Sequence, residues 1–355
     1  MRRGRTQERQ NRPVRFKCDD VKKLRIDVIN FTMNLPGKMI ELFSKEVMTM
    51  TEKLRKLINE YFIGNDEVVE NILICLLAGG HVLIEDVPGV GKTTLVKTLA
   101  AAVDLDFGRI QFTPDTLPSD VTGSVVLNMK TGEFEYREGA IMHRIILADE
   151  INRTSPKTQS ALLEAMAEGK VTVDDKVIKL PDPFMIIATQ NPSSFVGTYP
   201  LPEAQLDRFM MKLSIGYPTP ENEIILTRNF LEGKTADKIE SVIGEGDVIK
   251  IKEEVRSVKI ADSVLKYAGD IVALTRKENR FQMGVSPRAM IMLVQAAQAK
   301  AYISGRDFVT PDDIKAVAVN TLHHRVSLTY EAKIAGESID TVIYSNVLKA
   351  KVPMV

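Results

Sequence analysis

Residues 81–94 have the sequence HVLIEDVPGVGKTT, in which a short apolar run leads into a glycine-rich turn and the start of a helix. The apolar run predicts a buried β-strand, and the residues after the turn have the pattern of an amphipathic helix. Glycines in such a turn allow the backbone to wrap around a phosphate, while N–H groups and the helix N-terminus supply partial positive charge. The stretch therefore predicts the strand, loop and helix of a P-loop nucleotidase.

Two side chains of this loop have the chemistry that a nucleoside triphosphate requires. Lys92 would bridge the β- and γ-phosphates, and the Thr93 hydroxyl would bind Mg²⁺. The usual pattern G-x-x-x-x-G-K-[ST] has glycine where this chain has Asp86, which we expect to be tolerated because it ends the strand before the phosphate-wrapping segment. A glycine turn with an incidental lysine is the alternative, and the order of strand, loop and helix argues against it. The predicted nucleotide-binding residues of the loop are Pro88, Gly89, Val90, Gly91, Lys92, Thr93 and Thr94.

Polar side chains follow two further apolar runs. RIILAD at 144–149 ends in Asp149 and is followed by Glu150, whereas FMIIAT at 184–189 leads to Asn191. Asp149 would hold Mg²⁺, Glu150 would polarise the attacking water, and the amide of Asn191 would contact the γ-phosphate and that water. By themselves, an Asp-Glu pair is more often an ordinary loop start and Asn-Pro is only a turn signal. The P-loop upstream favours the functional interpretation of both.

The pattern along the chain predicts the fold. Helical and strand-like runs alternate from about residue 38, with further strands predicted at 107–112, 144–149 and 184–189, and such alternation is typical of a parallel sheet with helices on both faces. After two prolines in YPTPENE at 217–223 the pattern becomes mainly helical. We predict an α/β protein, in which a P-loop domain with a parallel sheet and helices on both faces is followed by a mainly helical domain. The expected divisions are a basic N-terminal extension at 1–37, a P-loop core at 38–217 and a helical domain at 218–355.

Composition narrows the class of protein. The 355 residues are 44% hydrophobic and 26% charged, which is typical of a globular protein and excludes wholesale disorder. Lys plus Arg and Asp plus Glu are both 47, so no overall charge attracts nucleic acid or an anionic membrane. The longest apolar stretch falls short of the roughly 20 residues that span a bilayer. The two cysteines suit a reducing compartment, and we expect a cytoplasmic protein with no membrane span.

Several motifs together carry a resemblance to a known family. They are LLAGGHVLIEDVPGVGKT (76–93), RIQFTPDTLPSDVTG (109–123), LADEINRTSPKTQSALLEAM (147–166), ATQNP (188–192), YPLPEAQLDRF (199–209), GVSPRA (284–289) and HHRVSLTYEA (323–332). In this order the chain resembles the MoxR family of AAA+ ATPases. The resemblance implies a P-loop αβα sandwich as the AAA+ ATPase core (38–217), followed by a small all-helical lid domain (218–355). It further implies Mg²⁺-dependent ATP hydrolysis by a homo-oligomeric ring, commonly a hexamer. It also implies a chaperone-like role on client proteins, often with von Willebrand A domain partners.

The resemblance also assigns roles to residues outside the P-loop. Arg208 in LDRF matches the arginine finger that reaches the γ-phosphate of the neighbouring subunit, and Arg288 in GVSPRA matches the second sensor. Taken alone, LDRF is more simply explained by a surface ion pair between Asp207 and Arg208. Ile63 and Gly64 match the segment that lines the adenine pocket.

Two predicted hairpins remain, at 124–140 with its turn at 130–132 and at 171–179. By the resemblance both point into the ring pore and contact substrate, although any solvated hairpin has a similar composition. A nucleic-acid motor is one alternative function, but the hairpins carry few basic residues for a channel that follows a phosphate backbone. A nucleotide-gated scaffold with little turnover is another, and the presence of Glu150, Asn191 and Arg208 argues against it. The pair His323–His324 suggests a metal site, but packing or surface exposure explains it better.

Overall fold

A computed structural model describes residues 38–191 and 197–353, with the side chains of 38–49 excepted. The predicted basic extension at 1–37 lies outside the described residues. The chain divides into two compact units, Met1–Glu46 and Val47–Val355. The sheet, both predicted hairpins and all the predicted site residues belong to the second unit.

The four predicted strands are present and form a parallel sheet with one strand that the sequence did not predict. They are β1 (Val82–Glu85), β2 (Phe107–Gln111), β5 (Ile145–Asp149) and β8 (Met185–Gln190), and the additional strand is β9 (Met211–Leu213). The order across the sheet is β2-β5-β8-β1-β9, and all four neighbouring pairs are parallel. The carboxyl ends of β1, β5 and β8 therefore lie at one edge, where the P-loop, the acidic pair and Asn191 follow them.

The helices cover most of the remaining chain. Their bounds are Lys38–Tyr61, Asp66–Ala78, Lys92–Ala102, Pro118–Thr122, Pro156–Glu168, Glu203–Leu206, Pro220–Leu231, Glu245–Ser257, Asp262–Lys277, Pro287–Ile303, Pro311–Leu322, Tyr330–Ile334 and Ile339–Lys349. Local signals explain several of these ends. Ser155 caps the helix that follows the acidic strand, and Gly169 ends that helix in the left-handed conformation. Ser286 likewise caps the helix that carries Arg288, with Pro287 at its first position.

Both predicted hairpins form. The first pairs β3 (Gly123–Leu127) with β4 (Phe134–Glu138), and the second pairs β6 (Lys170–Val173) with β7 (Lys176–Lys179). In the mainly helical part after β9, two short strands that the sequence did not predict also pair, β10 (Phe281–Met283) and β11 (Ser327–Leu328).

Apolar residues bury both faces of the central sheet. Two clusters of buried side chains form the core. The first lies between one face of the sheet and the helices that precede β1 in the chain, together with those of the C-terminal part. The second lies between the opposite face and the helix Pro156–Glu168. Leu83, Ile146 and Ile186 belong to the second cluster, whereas their strand neighbours Ile84, Leu147 and Ile187 belong to the first. This alternation is what a strand buried on both faces requires. Across residues 38–191 and 197–353, no helix combines the length and apolar character needed to cross a membrane.

Candidate active site

The P-loop has the backbone geometry that the sequence predicts. It joins β1 to the helix Lys92–Ala102, and Gly89 and Gly91 have φ values of 91° and 87°. Only glycine adopts this left-handed region readily, so the two positions explain why the loop is glycine-rich. Pro88 and Gly89 are exposed, and Gly91, Lys92 and Thr93 are half-buried. The loop therefore presents its backbone to the solvent at the N-terminus of a helix.

The Lys92 side chain is folded back along the loop. Its Nζ donates a hydrogen bond to the backbone carbonyl of Asp86 at 2.7 Å. Burial lowers the pKa of Lys92, and the surrounding carboxylates, including Asp86, Asp149 and Glu150, act in the opposite direction. The lysine and the acidic pair at the end of β5 are thus close enough to interact electrostatically, as the sequence predicts.

Asp149 and Glu150 are held from the neighbouring strand β8. The Thr189 hydroxyl donates to Asp149 Oδ1 at 2.7 Å and accepts the N–H of Glu150 at 2.8 Å. Glu150 has a φ of 58°, a left-handed conformation that is uncommon outside glycine and is often found at functional sites. One hydroxyl thus fixes both carboxylate residues at the strand end.

The Glu150 carboxylate contacts Asn191, as required if both act on one water. Asn191 Nδ2 donates to Glu150 Oε1 at 3.1 Å, and Asn191 is only 3% exposed. Arg153 pairs with the other carboxylate oxygen at 2.9 Å. The structure thus brings together the two residues that the sequence placed at the ends of different strands.

Sequence reasoning assigned no role to two side chains of β2 that reach the acidic pair. Arg109 donates to Asp149 Oδ2 at 2.7 Å and to Gln111 Oε1 at 2.6 Å, and Gln111 Nε2 donates to Glu150 Oε2 at 3.2 Å. Residues two apart on a strand share a face, so Arg109 and Gln111 together could have been expected to face the end of β5.

A cavity of about 470 Å³ adjoins the P-loop. Ile63 and Gly64 line it, as predicted, together with Gly89, Val90, Gly91 and Thr94. The sequence did not predict the opposite wall, which consists of the consecutive residues 215–219 and of Asn222 and Leu226 from the helix Pro220–Leu231. The lining is mainly apolar and includes residues of the phosphate loop, which suits a nucleoside.

The proposed ion pair between Asp207 and Arg208 is not formed. Asp207 instead accepts hydrogen bonds from the Ser286 hydroxyl at 3.0 Å and from Arg325 Nε at 2.8 Å. Within residues 38–191 and 197–353, the half-buried Arg208 side chain has no hydrogen-bond or ion-pair partner, and its Nε is buried and unpaired. The surface-pair interpretation of LDRF is therefore wrong, because the carboxylate is used by other residues.

Arg288 lies beside Asp207 and, within residues 38–191 and 197–353, forms no hydrogen bond or ion pair with the P-loop. Its Nη1 is 3.7 Å from Asp207 Oδ2, and its side chain is 51% exposed. Among the described residues, the structure thus brings Arg288 to the segment around Arg208, while Lys92, Glu150 and Asn191 form a separate group at the end of the sheet.

The two adjacent histidines have separate partners. His323 Nδ1 is 3.1 Å from Asp340 Oδ1, and the buried His324 contacts the carbonyl of Phe209 through Nε2 at 3.0 Å. Burial lowers the pKa of both histidines. These contacts explain the two histidines as packing residues, one of which bonds the segment around Arg208. In the part of the chain that the structure describes, no cluster of metal-binding side chains occurs.

Comparisons with known proteins agree with this geometry. Residues 81–211 match the family described as the ATPase family associated with various cellular activities, and residues 273–345 match the AAA lid domain. The first match contains the P-loop, the acidic pair, Asn191 and Arg208. The second contains Arg288 and Arg325.

Individual relatives extend the similarity to nearly the whole chain. Chaperone MoxR1 of Mycobacterium tuberculosis is 38% identical, covering 87% of this chain and 83% of the relative. A protein of Bacillus subtilis, YeaC, is 49% identical, covering 88% and 98%. A crystal structure of a protein from Cytophaga hutchinsonii superposes with a TM-score of 0.82 at 40% identity, covering 89% of this chain and 99% of that one.

Proposed function

The chain belongs to the MoxR family of AAA+ ATPases, and from this premise we propose that it binds ATP with Mg²⁺ and hydrolyses it to ADP and phosphate. One observation carries the proposal. The carboxylate of Glu150 and the amide of Asn191 are in contact at 3.1 Å, at the sheet edge from which the P-loop emerges. A buried amide that holds a carboxylate beside a phosphate loop is suited to positioning a water molecule for attack.

ATP binding would use the P-loop and the cavity together. The backbone N–H groups between Gly89 and Thr94 would surround the phosphates, and Lys92 would exchange the Asp86 carbonyl for the β- and γ-phosphate oxygens. The cavity bounded by Ile63 and Gly64 would take the base and ribose.

Hydrolysis follows from the position of Glu150. Its carboxylate would accept a proton from the water as the water oxygen attacks the γ-phosphorus, and the bond to the bridging oxygen breaks to release ADP. Asn191, Gln111 and Arg153 would restrict the carboxylate to one orientation through the contacts described above.

The residues expected to hold Mg²⁺ have suitable chemistry. The Thr93 hydroxyl and the Asp149 carboxylate are hard oxygen donors, and Mg²⁺ is usually bound by one or two protein oxygens plus phosphates. Thr189 holds one carboxylate oxygen of Asp149 in place, and Arg109 pairs with the other. The Asp149 side chain is 15% exposed. When bound, the ion would neutralise charge on the phosphate oxygens.

Arg208 supports assembly into a ring. The half-buried Arg208 guanidinium has no partner among the described residues, so it is available to an anion that another molecule supplies. We propose that Arg208 reaches the γ-phosphate bound by an adjacent subunit, so that hydrolysis depends on a homo-oligomeric ring, expected to be a hexamer. Arg288 would leave its 3.7 Å contact with Asp207 and bind the phosphates of its own subunit.

Protein remodelling is the proposed use of ATP hydrolysis, as the name of the mycobacterial relative suggests. The first hairpin exposes Met129 and Phe134, which are 88% and 69% exposed at its end. Its charged residues are Lys130, Arg137 and three glutamates. Exposed apolar side chains in an acidic hairpin favour a protein client over nucleic acid. Von Willebrand A domain partners, a cytoplasmic location and the division into core (38–217) and lid (218–355) stay predictions.

The direct test measures ATPase rate per subunit against protein concentration, with light scattering on the same samples. The rate should rise as oligomers form, and Arg208→Ala should lose turnover while retaining ATP binding. Arg256→Ala is the matched control, because Arg256 is an exposed arginine in the last turn of the helix Glu245–Ser257 and takes no part in the site contacts described above. A rate independent of concentration together with a silent Arg208→Ala would contradict the trans arginine and the ring.

A further inference from the structure

Asp86 occupies the position where the usual P-loop pattern has its first glycine, and its carboxylate is nearly buried. It is 8% exposed. A buried carboxylate needs hydrogen-bond donors, and here they come from the segment after β9. The N–H of Ile215 donates to Oδ2 at 2.5 Å, and the Ser214 hydroxyl and the N–H of Gly216 donate to Oδ1 at 3.1 and 3.3 Å.

That segment forms a wall of the candidate nucleotide cavity. Residues 215–219 line it consecutively, and Thr219 then caps the helix Pro220–Leu231. Gly216 has a φ of 73°, so the chain turns sharply at the residue that Asp86 holds. Asp86 thus fixes the point at which the backbone leaves the sheet and enters the cavity wall.

Asp86 also meets the phosphate loop, through a different atom. Its carbonyl oxygen accepts the hydrogen bond from Lys92 Nζ at 2.7 Å, while its carboxylate bonds the wall segment. A negative charge this close to a triphosphate site opposes phosphate binding by Coulomb repulsion. Phosphate affinity therefore gives no reason for a carboxylate here, whereas positioning the wall does.

We propose that Asp86 is a positioning residue that holds residues 214–216 and thereby shapes the part of the cavity that receives the base and ribose. The inference rests on the proposed nucleotide binding. It makes a prediction opposite to that of the P-loop pattern: Asp86→Gly, which restores the usual glycine, should weaken nucleotide binding. Phosphates alone should bind as well as before, or better.

The test compares ADP with inorganic pyrophosphate, each with Mg²⁺, by calorimetric titration of the full chain. The ratio of the pyrophosphate to the ADP dissociation constant measures what the base, ribose and their wall contribute. Asp86→Gly leaves the N–H groups of Ile215 and Gly216 without their acceptor, and one such loss changes an equilibrium by about tenfold. We expect the ratio to fall by about tenfold or more.

Two further variants serve as an intermediate case and as a control. Asp86→Asn keeps one oxygen acceptor, so its ratio of the two dissociation constants should lie between those of the parent and Asp86→Gly. This variant tests the inference even if the glycine variant folds poorly. Asp104→Gly makes the same change of residue and charge at the far end of the P-loop helix, at a φ of 50° that glycine accepts, and should leave the ratio unchanged. General destabilisation would lower the bound fraction for both ligands without changing the ratio.

The outcomes separate the inference from the function on which it rests. An unchanged ratio in Asp86→Gly and Asp86→Asn, or an equal loss of ADP and pyrophosphate affinity, would overturn the positioning role. If the parent protein binds neither ligand, the proposed nucleotide binding fails and the inference fails with it.

Discussion

Replacing Arg325 by methionine should remove a buried connection between the C-terminal helices and the segment that carries Arg208. The Arg325 side chain is 1% exposed, and its Nε pairs with Asp207 Oδ1 at 2.8 Å. Its Nη2 also donates to the carbonyls of Asp207 and Phe209, at 3.1 and 2.5 Å. Burial lowers the pKa of Arg325, and the Asp207 carboxylate offsets only part of this effect. One guanidinium therefore holds the residues on both sides of Arg208.

The cost of the substitution follows from what it leaves behind. Breaking a buried ion pair by removing one partner costs about 3–5 kcal/mol, because the other charge and the carbonyls lose their donors. Asp207 keeps the Ser286 hydroxyl at 3.0 Å and Arg288 at 3.7 Å, which offsets part of this loss. We therefore expect Arg325→Met to lower the free energy of unfolding by about 3 kcal/mol, at the lower end of that range.

Urea unfolding followed by circular dichroism measures this loss. A double-mutant cycle with Asp207→Asn should give a coupling energy of about 2 kcal/mol, since most of the cost of either change comes from the partner left unpaired. Lys315→Met is the control, because its partner Asp312 is 85% exposed and such surface pairs contribute less than about 1 kcal/mol. A loss no larger than in the control, or a coupling near zero, would refute the reasoning.

Three further outcomes are expected. Burial lowers the pKa of His81 to about 4, so between pH 6.5 and pH 4 the imidazole takes up a proton in the unfolded chain more readily than in the folded one. The free energy of unfolding should therefore fall by about 3 kcal/mol as the pH is lowered over this range. Equal pH slopes in the parent and His81→Gln would contradict this. Gly139→Ala should lower the free energy of unfolding by about 1–3 kcal/mol, measured by thermal melts, because its Cβ would lie 2.2 Å from backbone atoms. Gly246→Ala is the control, because its Cβ meets nothing within 4 Å and, inside the helix Glu245–Ser257, alanine should be neutral or stabilising. Replacing both Met129 and Phe134 by serine should leave basal ATPase unchanged and weaken binding of an unfolded polypeptide, measured by fluorescence anisotropy; unaltered binding would remove the hairpin from the client site.

The parts of the fold that the sequence predicts are those specified by local signals. An apolar strand that ends in polar residues is recognisable within ten residues, and three such ends at one edge of a parallel sheet must lie near each other. Lys92, Glu150 and Asn191 were therefore placed correctly relative to one another. The caps at Ser155 and Ser286 are specified just as locally, because each depends on residues within one turn.

The connections that escaped prediction join residues far apart in the chain. Arg325 and Asp207 are separated by 118 positions, and Asp86 meets Ile215 across 129. Neither residue type nor spacing identifies such a partner, and β9, only three residues long, gives too short a pattern to be recognised. The aspartate in place of the usual P-loop glycine is a visible signal of the contact with Ile215. The sequence predicts only that Asp86 is tolerated, whereas the structure shows that its carboxylate has hydrogen-bond partners.

The two aspartates attach the C-terminal helices at both ends of one strand pair. Asp86 follows the carboxyl end of β1, and Asp207 lies before the amino end of β9, which is parallel to β1. The bonds of Arg325 and Ser286 to Asp207 oppose a reorientation of these helices by bending at residues 215–219. A movement that carries Arg288 onto a bound phosphate must therefore change the contacts of Asp207, and Arg208 follows directly in the chain. If Arg208 acts on an adjacent subunit as proposed above, nucleotide binding in one subunit would in this way change the position of the arginine that contacts the next.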